Sequence, residues 1–272
     1  MTSKVWFITG ASRGFGRAWA QAALERGDRV VATARSPEAL QPLAEQYGDA
    51  VQPLALDVTD RAAVFAAVDA AKAHFGRLDV VISNAGYALF GTVEESTEAQ
   101  ARAQFETNLF GTLWVAQAAL PHLREQGGGH LLVTSSIAGV ITFPTAGIYN
   151  ATKWAVEGLM ETLASEASAF GIRVTLIEPG GYDTDWRGAS AATTVPMSVY
   201  DELRQKIKAL SAGRVLGQPS ATSAAILAVV DAQEPPLRLF LGKACLPSAK
   251  QAYAQRLSVW EAWAAESDAA QG

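Results

Sequence analysis

Cysteine is all but missing from this chain of 272 residues: Cys245 stands alone. One thiol cannot close an intramolecular disulfide, which excludes stapled secreted scaffolds and suits a reducing compartment. Long apolar runs are missing too, and none approaches the ~20 residues that a membrane span requires. The opening MTSKVWFITGAS has one lysine and then about five residues of apolar strand, too short for a signal-peptide core. A cytoplasmic protein with no membrane span is therefore expected. Histidine is scarce. His74, His122 and His130 are scattered and share no ligand spacing, so no metal site is expected. His74 near a helix end and His130 after a glycine run read as ordinary surface or terminus residues. Basic charge is not in excess, at 22 Lys and Arg against 27 Asp and Glu. The net charge of −5 gives no reason to expect nucleic acid or an anionic membrane as partner.

What is present is an ordinary globular composition, 49% apolar and 18% charged, long enough to bury a substantial core. Strand and helix patterns alternate along it. KVWFIT, RVVATA, AVQPLAL, LDVVIS, GGGHLLVTS, IRVTLIEPG and LRLFLG read as strands, with Pro53 keeping the third from being central throughout. Between them lie helices from Gly14 to Arg26, from Ser36-Pro37 onward, from Asp60 to Phe75, as one long helix from Thr97 to Arg124, and from Tyr149 to Phe170. Strands joined by helices of this length pair in parallel through right-handed crossovers. The fold class expected is α/β, a doubly wound parallel sheet, with residues 1–272 as one domain and no linker, repeat or low-complexity segment. Two segments stand outside the rhythm. Residues 185–217 are irregular and then helical just after a strand's carboxyl end, which suits a substrate lid. The tail, 248–272, places Tyr253, Leu257, Trp260 and Trp263 at helical spacing, suited to packing against the body or another subunit.

The first strand runs into TGASRGFG, residues 9–16. Gly10, Gly14 and Gly16 permit a tight turn and close approach of backbone to phosphate, and the helix that follows offers free N–H groups to a pyrophosphate. NAD-binding turns usually place an acid near the end of the second strand. Here Ala34 stands in its place, Arg35 follows, and Arg13 lies inside the turn. Two guanidiniums suit a 2′-phosphate through forked, charge-assisted hydrogen bonds, so NADP(H) is favoured over NAD(H). Further on, GIYNATKWAVEG puts Tyr149 and Lys153 one helical turn apart. Such a pair can be a solvated helix face, or an ammonium set to favour a phenolate for proton transfer.

These motifs, in this order, resemble the single-domain short-chain dehydrogenase/reductases from about Val5 to Thr184. The resemblance implies a Rossmann-like fold. It assigns the cofactor to the turn carrying Gly10, Ser12, Arg13, Gly14, Phe15 and Gly16, to Arg35, to Asp57 and Val58 against the adenine, and to Asn84, Ala85 and Gly86 lining the nucleotide cleft. Pro179, Gly180 and Thr184 complete the cofactor set, with Thr184 on the carboxamide. By the same resemblance Tyr149 is the acid/base and Lys153 tunes it and holds the nicotinamide ribose. Ser136, 13 residues before the tyrosine, binds the substrate oxygen in preference to its neighbour Ser135. Asn108 holds a water that relays protons towards Lys153. Leu89, Phe90, Val140, Ile141, Phe143, Tyr182 and Trp186 form an apolar set around the pocket, about half of them core residues, and the branch is similar to steroid- and retinol-type reductases and their bacterial relatives. A hydrophobic ketone, aldehyde or secondary alcohol is the substrate class implied, in a homodimer or homotetramer built on the helices that begin near Thr97 and Tyr149. Two other readings use the same fold: different chemistry such as elimination or epimerisation, and a non-enzymatic NADP(H) sensor.

Overall fold

The computed structural model describes residues 3–184, 191–213 and 215–272. Strands β1 (Val5–Ile8), β2 (Arg29–Ala34), β3 (Val51–Ala55) and β4 (Val80–Ser83) come first. The short β5 (Leu89–Phe90) is followed by β6 (Gly129–Thr134), β7 (Ile172–Pro179), β8 (Ala192–Thr193) and β9 (Arg238–Leu241). Seven of them form one parallel sheet in the order β3-β2-β1-β4-β6-β7-β9, while β5 and β8 pair separately. Pro53 lies in β3, an edge strand, where a missing N–H costs least.

The interior strands are mostly apolar on both faces because each face of the sheet is covered, with Ser83, His130, Thr175 and Glu178 among the buried polar exceptions. In β1, Val5 and Phe7 join the core on one face, while Trp6 and Ile8 join the core on the other. Helices α1 (Gly14–Glu25) and α2 (Gln41–Tyr47) cover the second face, and α3 (Arg61–Phe75) the first. Local chemistry sets the helix ends. Asp60 caps α3 by accepting from Ala63 N at 3.0 Å, and Gly76, at φ 79°, closes it in the left-handed region. Ser36 makes no side-chain cap, and Pro37–Leu40 forms a 3₁₀ turn before α2.

The single long helix expected from Thr97 to Arg124 is divided. Thr97 and Gln100 form a capping box for α4 (Glu98–Phe105), Glu106–Phe110 is a π turn, and α5 (Gly111–Glu125) continues. Downstream lie α6 (Gly147–Ala167), α7 (Asp201–Ser211), α8 (Ser223–Asp231), α9 (Cys245–Ala262) and α10 (Ala264–Ala269).

His130 corrects the sequence reading. It lies within β6 at 1% exposure, with Nε2 2.9 Å from Thr175 Oγ1, and is a core residue. The preceding glycines end at the strand's first residue, so the histidine falls inside the ladder. The tail helix α9 buries Cys245 and Ala249 against Ile137 and Val140. Its Tyr253, Leu257 and Trp260, and Trp263 just past its end, are exposed instead of packed on the body. Among the described residues no helix is long and apolar enough to cross a membrane, and no three His, Cys, Asp or Glu side chains cluster as metal ligands.

Candidate active site

The strand order reverses between β1 and β4: β1 leads outward to β2, and β4 leads the other way to β6. A crevice opens at the carboxyl ends of strands at such a switch point. One wall is the turn from Thr9 to Gly16, where Gly10 and Gly14 take φ of 66° and 55°. A Cβ on Gly10 would meet Ala85 Cα at 3.0 Å, and one on Gly16 would strike Gly10 O, so neither position has room for a side chain. Asn84 braces this turn. Its Nδ2 donates to Thr9 O at 3.0 Å and Gly10 O at 3.2 Å, and its Oδ1 accepts from Thr134 Oγ1 at 3.2 Å. Thr9 Oγ1 in return accepts from Asn84 N and Ala85 N.

Helix α1 begins at Gly14 with no acidic residue in its first turn, so its positive end is left for an anion. Ser12 is half-buried in the turn and Arg13 is exposed at its end. The Phe15 ring stacks on Trp19 at 5.3 Å and meets Tyr182 edge-on at 5.0 Å. The ring is thus occupied by these two aromatic contacts, and only the Phe15 backbone belongs to the turn. Ala34 ends β2 at 6% exposure, and Arg35 is exposed with no hydrogen bond or ion pair to the described residues. Asp57 accepts from Thr59 N and Oγ1 at 3.0 and 2.8 Å. Val58 is buried against Gly111, where a Cβ would come within 2.8 Å of it.

The other wall of the crevice is assembled from the ends of β4 and β6, α6 and the π turn. Tyr149 lies in the first turn of α6 at 4% exposure, packed among Ala88, Ala138, Ala146 and Phe90. The entry to that helix is set by Thr145, whose φ of 62° is unusual for a β-branched residue and whose carbonyl accepts from Gly91 N at 2.9 Å. Lys153 Nζ donates to Thr134 O at 2.7 Å and stands 5.8 Å from the centre of the Tyr149 ring. Burial pushes this ammonium down to about 8, against the opposing pull of Glu157. Ser136 follows β6; its Oγ accepts from Ala138 N at 3.1 Å and donates to Pro179 O at 3.5 Å. Ser135 points elsewhere, towards Gly139 and Glu157, where a Cβ on Gly139 would meet its Oγ at 2.9 Å.

Asn108 sits on the π turn at 1% exposure. Its Oδ1 accepts from Tyr87 N at 3.1 Å, and its Nδ2 donates to Tyr87 O at 3.0 Å and Thr152 Oγ1 at 3.2 Å. A Cβ on Gly86 would lie 3.1 Å from Asn108 Oδ1 and 3.9 Å from Lys153 Nζ, so these three residues converge. Across the crevice, Gly180 donates its N–H to Leu241 O at 2.9 Å, and a Cβ on Gly14 would come within 3.5 Å of Thr184 Cγ2.

The apolar pocket set is only partly gathered here. Phe90 lies on β5 beside Tyr149 and Leu89 is buried next to it on that strand, whereas Val140 is buried under α9 and Tyr182 packs against Phe15. Phe143 is exposed, Ile141 lines a groove of about 560 Å³ along α9, and Trp186 lies outside the described residues. Sequence reading passed over Thr152, Gln104, Glu157 and Glu178, all buried. The signal available for Glu178 was a charge inside an apolar strand, IRVTLIEPG.

The family model described as short chain dehydrogenase matches residues 4–194. The chain belongs to that family. It is 44% identical over 249 residues to the oxidoreductase BOA17 of Botryotinia fuckeliana, covering 88% of this chain and 89% of that one. It is 35% identical over 271 residues to the 3-ketodihydrosphingosine reductase of Bacteroides thetaiotaomicron, covering 94% and 98%. Among solved structures, a short-chain dehydrogenase from Streptomyces avermitilis superposes with a TM-score of 0.92 at 36% identity, covering 99% of this chain and 98% of that one. An alcohol dehydrogenase from Thermococcus sibiricus complexed with 5-hydroxy-NADP gives 0.75 at 29% identity, covering 88% and 96%. A Burkholderia phymatum member in complex with NAD gives 0.80 at 26%, covering 91% and 92%. The protein is an oxidoreductase of this family.

Proposed function

We propose that the protein transfers a hydride between NADP(H) and a hydrophobic ketone, aldehyde or secondary alcohol. The convergence of Tyr149, Lys153 and Ser136 at the carboxyl end of β6 is the observation that carries this reading. A bound nicotinamide supplies or accepts the hydride. Ser136 Oγ holds the substrate oxygen and stabilises charge developing on it. Tyr149 gives that oxygen its proton in reduction and takes it back in oxidation, and the positive charge of Lys153 favours the phenolate form. Lys153 also reaches the nicotinamide ribose, and Asn108 sets the backbone beside it for a water relay.

Preference for the phosphorylated cofactor rests on Ala34 and Arg35. The relative named 3-ketodihydrosphingosine reductase supports a carbonyl substrate with apolar bulk, as does Phe90 beside Tyr149. The segment containing β8 and α7 serves as a substrate lid, hinged against β5. Copies of the chain associate through α4, α5 and α6, and the exposed tail adds to that surface. The buried, unpaired Cys245 is consistent with work in the cytoplasm.

The test is oxidation of NADPH and NADH, followed by absorbance, against aromatic, aliphatic, steroidal and retinoid carbonyls. Tyr149→Phe should still bind NADPH and lose turnover by on the order of a thousandfold or more. Retained turnover in that variant would assign the proton to another group.

A further inference from the structure

Behind Lys153, on the side of β7 that faces α6, two carboxyl groups are buried together. Leu176 of β7 packs with Val156 and Met160 of α6 in one core, and strand alternation carries Glu178 to the same face. Glu178 is fully buried and Glu157, on α6, is 5% exposed. Arg238 of β9 clamps them from one side. Its Nε donates to Glu157 Oε2 at 2.9 Å and lies 3.5 Å from Glu178 Oε1, while Nη2 donates to Glu161 Oε2 at 2.8 Å.

That clamp leaves Glu157 Oε1 and both oxygens of Glu178 without a hydrogen bond among the described residues. Buried oxygens without donors are costly, and two carboxylates side by side in a dry site repel. One proton removes both penalties, because the protonated acid donates to its neighbour. Burial, together with the charge of Glu157, pushes Glu178 up to about 8, with Arg238 pulling the other way.

Two cations border the pair: Arg238, which holds Glu157 Oε2 and lies near Glu178 Oε1, and Lys153 on the helix that carries Glu157. Cys245 of α9 faces Glu178 as a thiol that burial pushes up to about 11, its Sγ donating to Leu241 O at 3.2 Å. Ser135 Oγ adds a neutral hydroxyl near Glu157, and Glu161 is spent on Arg238. Lys153 lies one turn before Glu157 on α6, the spacing at which an acid and an amine are neighbours.

We propose that Glu157 and Glu178 are a one-proton carboxyl pair that acts on the reaction through Lys153. Glu157 is the counter-charge that keeps the buried ammonium protonated. Glu178 is the neutral acid that donates from β7 to Glu157 and fixes the place of its carboxylate. Neither touches substrate, so both are positioning residues, and the inference rests on the role given above to Lys153.

The protonation of Lys153 can be followed by ¹⁵N NMR of the lysine side chains, assigned with Lys153→Met. In Glu157→Gln the midpoint of that titration should fall by about one pH unit, and the alkaline limb of the kcat/KM profile should fall with it. In Glu178→Gln, whose amide donates as the protonated acid does, the midpoint should stay within about 0.3 of a unit. In the wild-type protein, ¹³C resonances of the glutamate carboxyls should show the pair holding one proton at neutral pH. A Lys153 midpoint unmoved by Glu157→Gln overturns the proposal, and so does a wild-type pair with both carboxyls ionised at neutral pH. The carboxyl measurement needs no variant, so a Glu157→Gln chain that fails to fold leaves the test standing. A protein that turns over no carbonyl with either cofactor would sink the proposed activity, while the two NMR titrations would still decide the pair.

Discussion

At the scale of single residues, cofactor choice turns on what stands at the end of β2. Ala34 is buried there, and Arg35 projects into solvent with no counter-ion among the described residues. A guanidinium of this kind is free to meet a phosphate, whereas a carboxylate in place of Ala34 would repel it and bind ribose hydroxyls instead. Ala34→Asp should therefore raise KM for NADPH on the order of a hundredfold and change that for NADH by less than about threefold, with Arg35→Ala falling between. Steady-state kinetics with both cofactors checks this. Equal losses for the two would remove the argument for NADPH. Much of this residue-level site was legible in the sequence, because glycines, a Tyr/Lys pair and a missing acid are local signals. Phe15 shows the limit. Its place in the turn was readable, but only the packed structure shows the ring turned towards Trp19 and away from the cleft.

At the scale of elements, the order of strands and helices followed from apolar periodicity, and the deviations all lie where periodicity is silent. The π turn at Glu106–Phe110 inserts one extra residue without changing the helical pattern, and it places Asn108. Strands β5 and β8 have two residues each, too few to show alternation. They matter because they tie the segment after β7 to the body, and Glu95 completes that tie. Its carboxylate accepts from Thr92 N at 2.8 Å, Met197 N at 2.6 Å and Thr194 Oγ1 at 3.2 Å, and it pairs with Arg204 of α7. The Met197 amide is the largest of the influences that hold Glu95 down to about 2, so the latch stays charged until strongly acid pH. Glu95→Ala leaves those donors unmet and should loosen residues 191–204. Proteolysis within that segment should accelerate, and KM for the carbonyl should rise roughly tenfold with a smaller change in kcat. An unchanged cleavage rate would mean that the β5–β8 pairing alone holds the segment.

For the whole molecule, the buried titratable groups act together on stability. His130, buried in β6 with its ring beside Thr175, is pushed down to about 3, mainly by burial and further by Arg173 and Lys4. An unfolded histidine takes up a proton below about 6.5, while the folded one does not until about 3. The unfolded state therefore binds more protons in that window, and stability must fall as pH drops through it, by at most about 1.4 kcal/mol per pH unit. Glu178 works in the opposite sense. An unfolded carboxyl ionises near 4.5, whereas the folded one keeps its proton to about 8, so stability falls as pH rises across that interval. From about 4.5 to 6.5 the two slopes oppose each other, which places the maximum of Tm against pH in mildly acid solution. On the acid side of it Glu95, held down to about 2, adds to the loss below about 4.5. Thermal unfolding across pH should show this dome. His130→Gln, which keeps a hydrogen-bonding group near Thr175 without a titrating ring, should flatten the limb between pH 6.5 and 3 and leave the alkaline one in place. A His130→Gln curve parallel to the wild type throughout would mean that the buried ring contributes nothing to acid sensitivity, and that the carboxylates, Glu95 foremost, carry all of it.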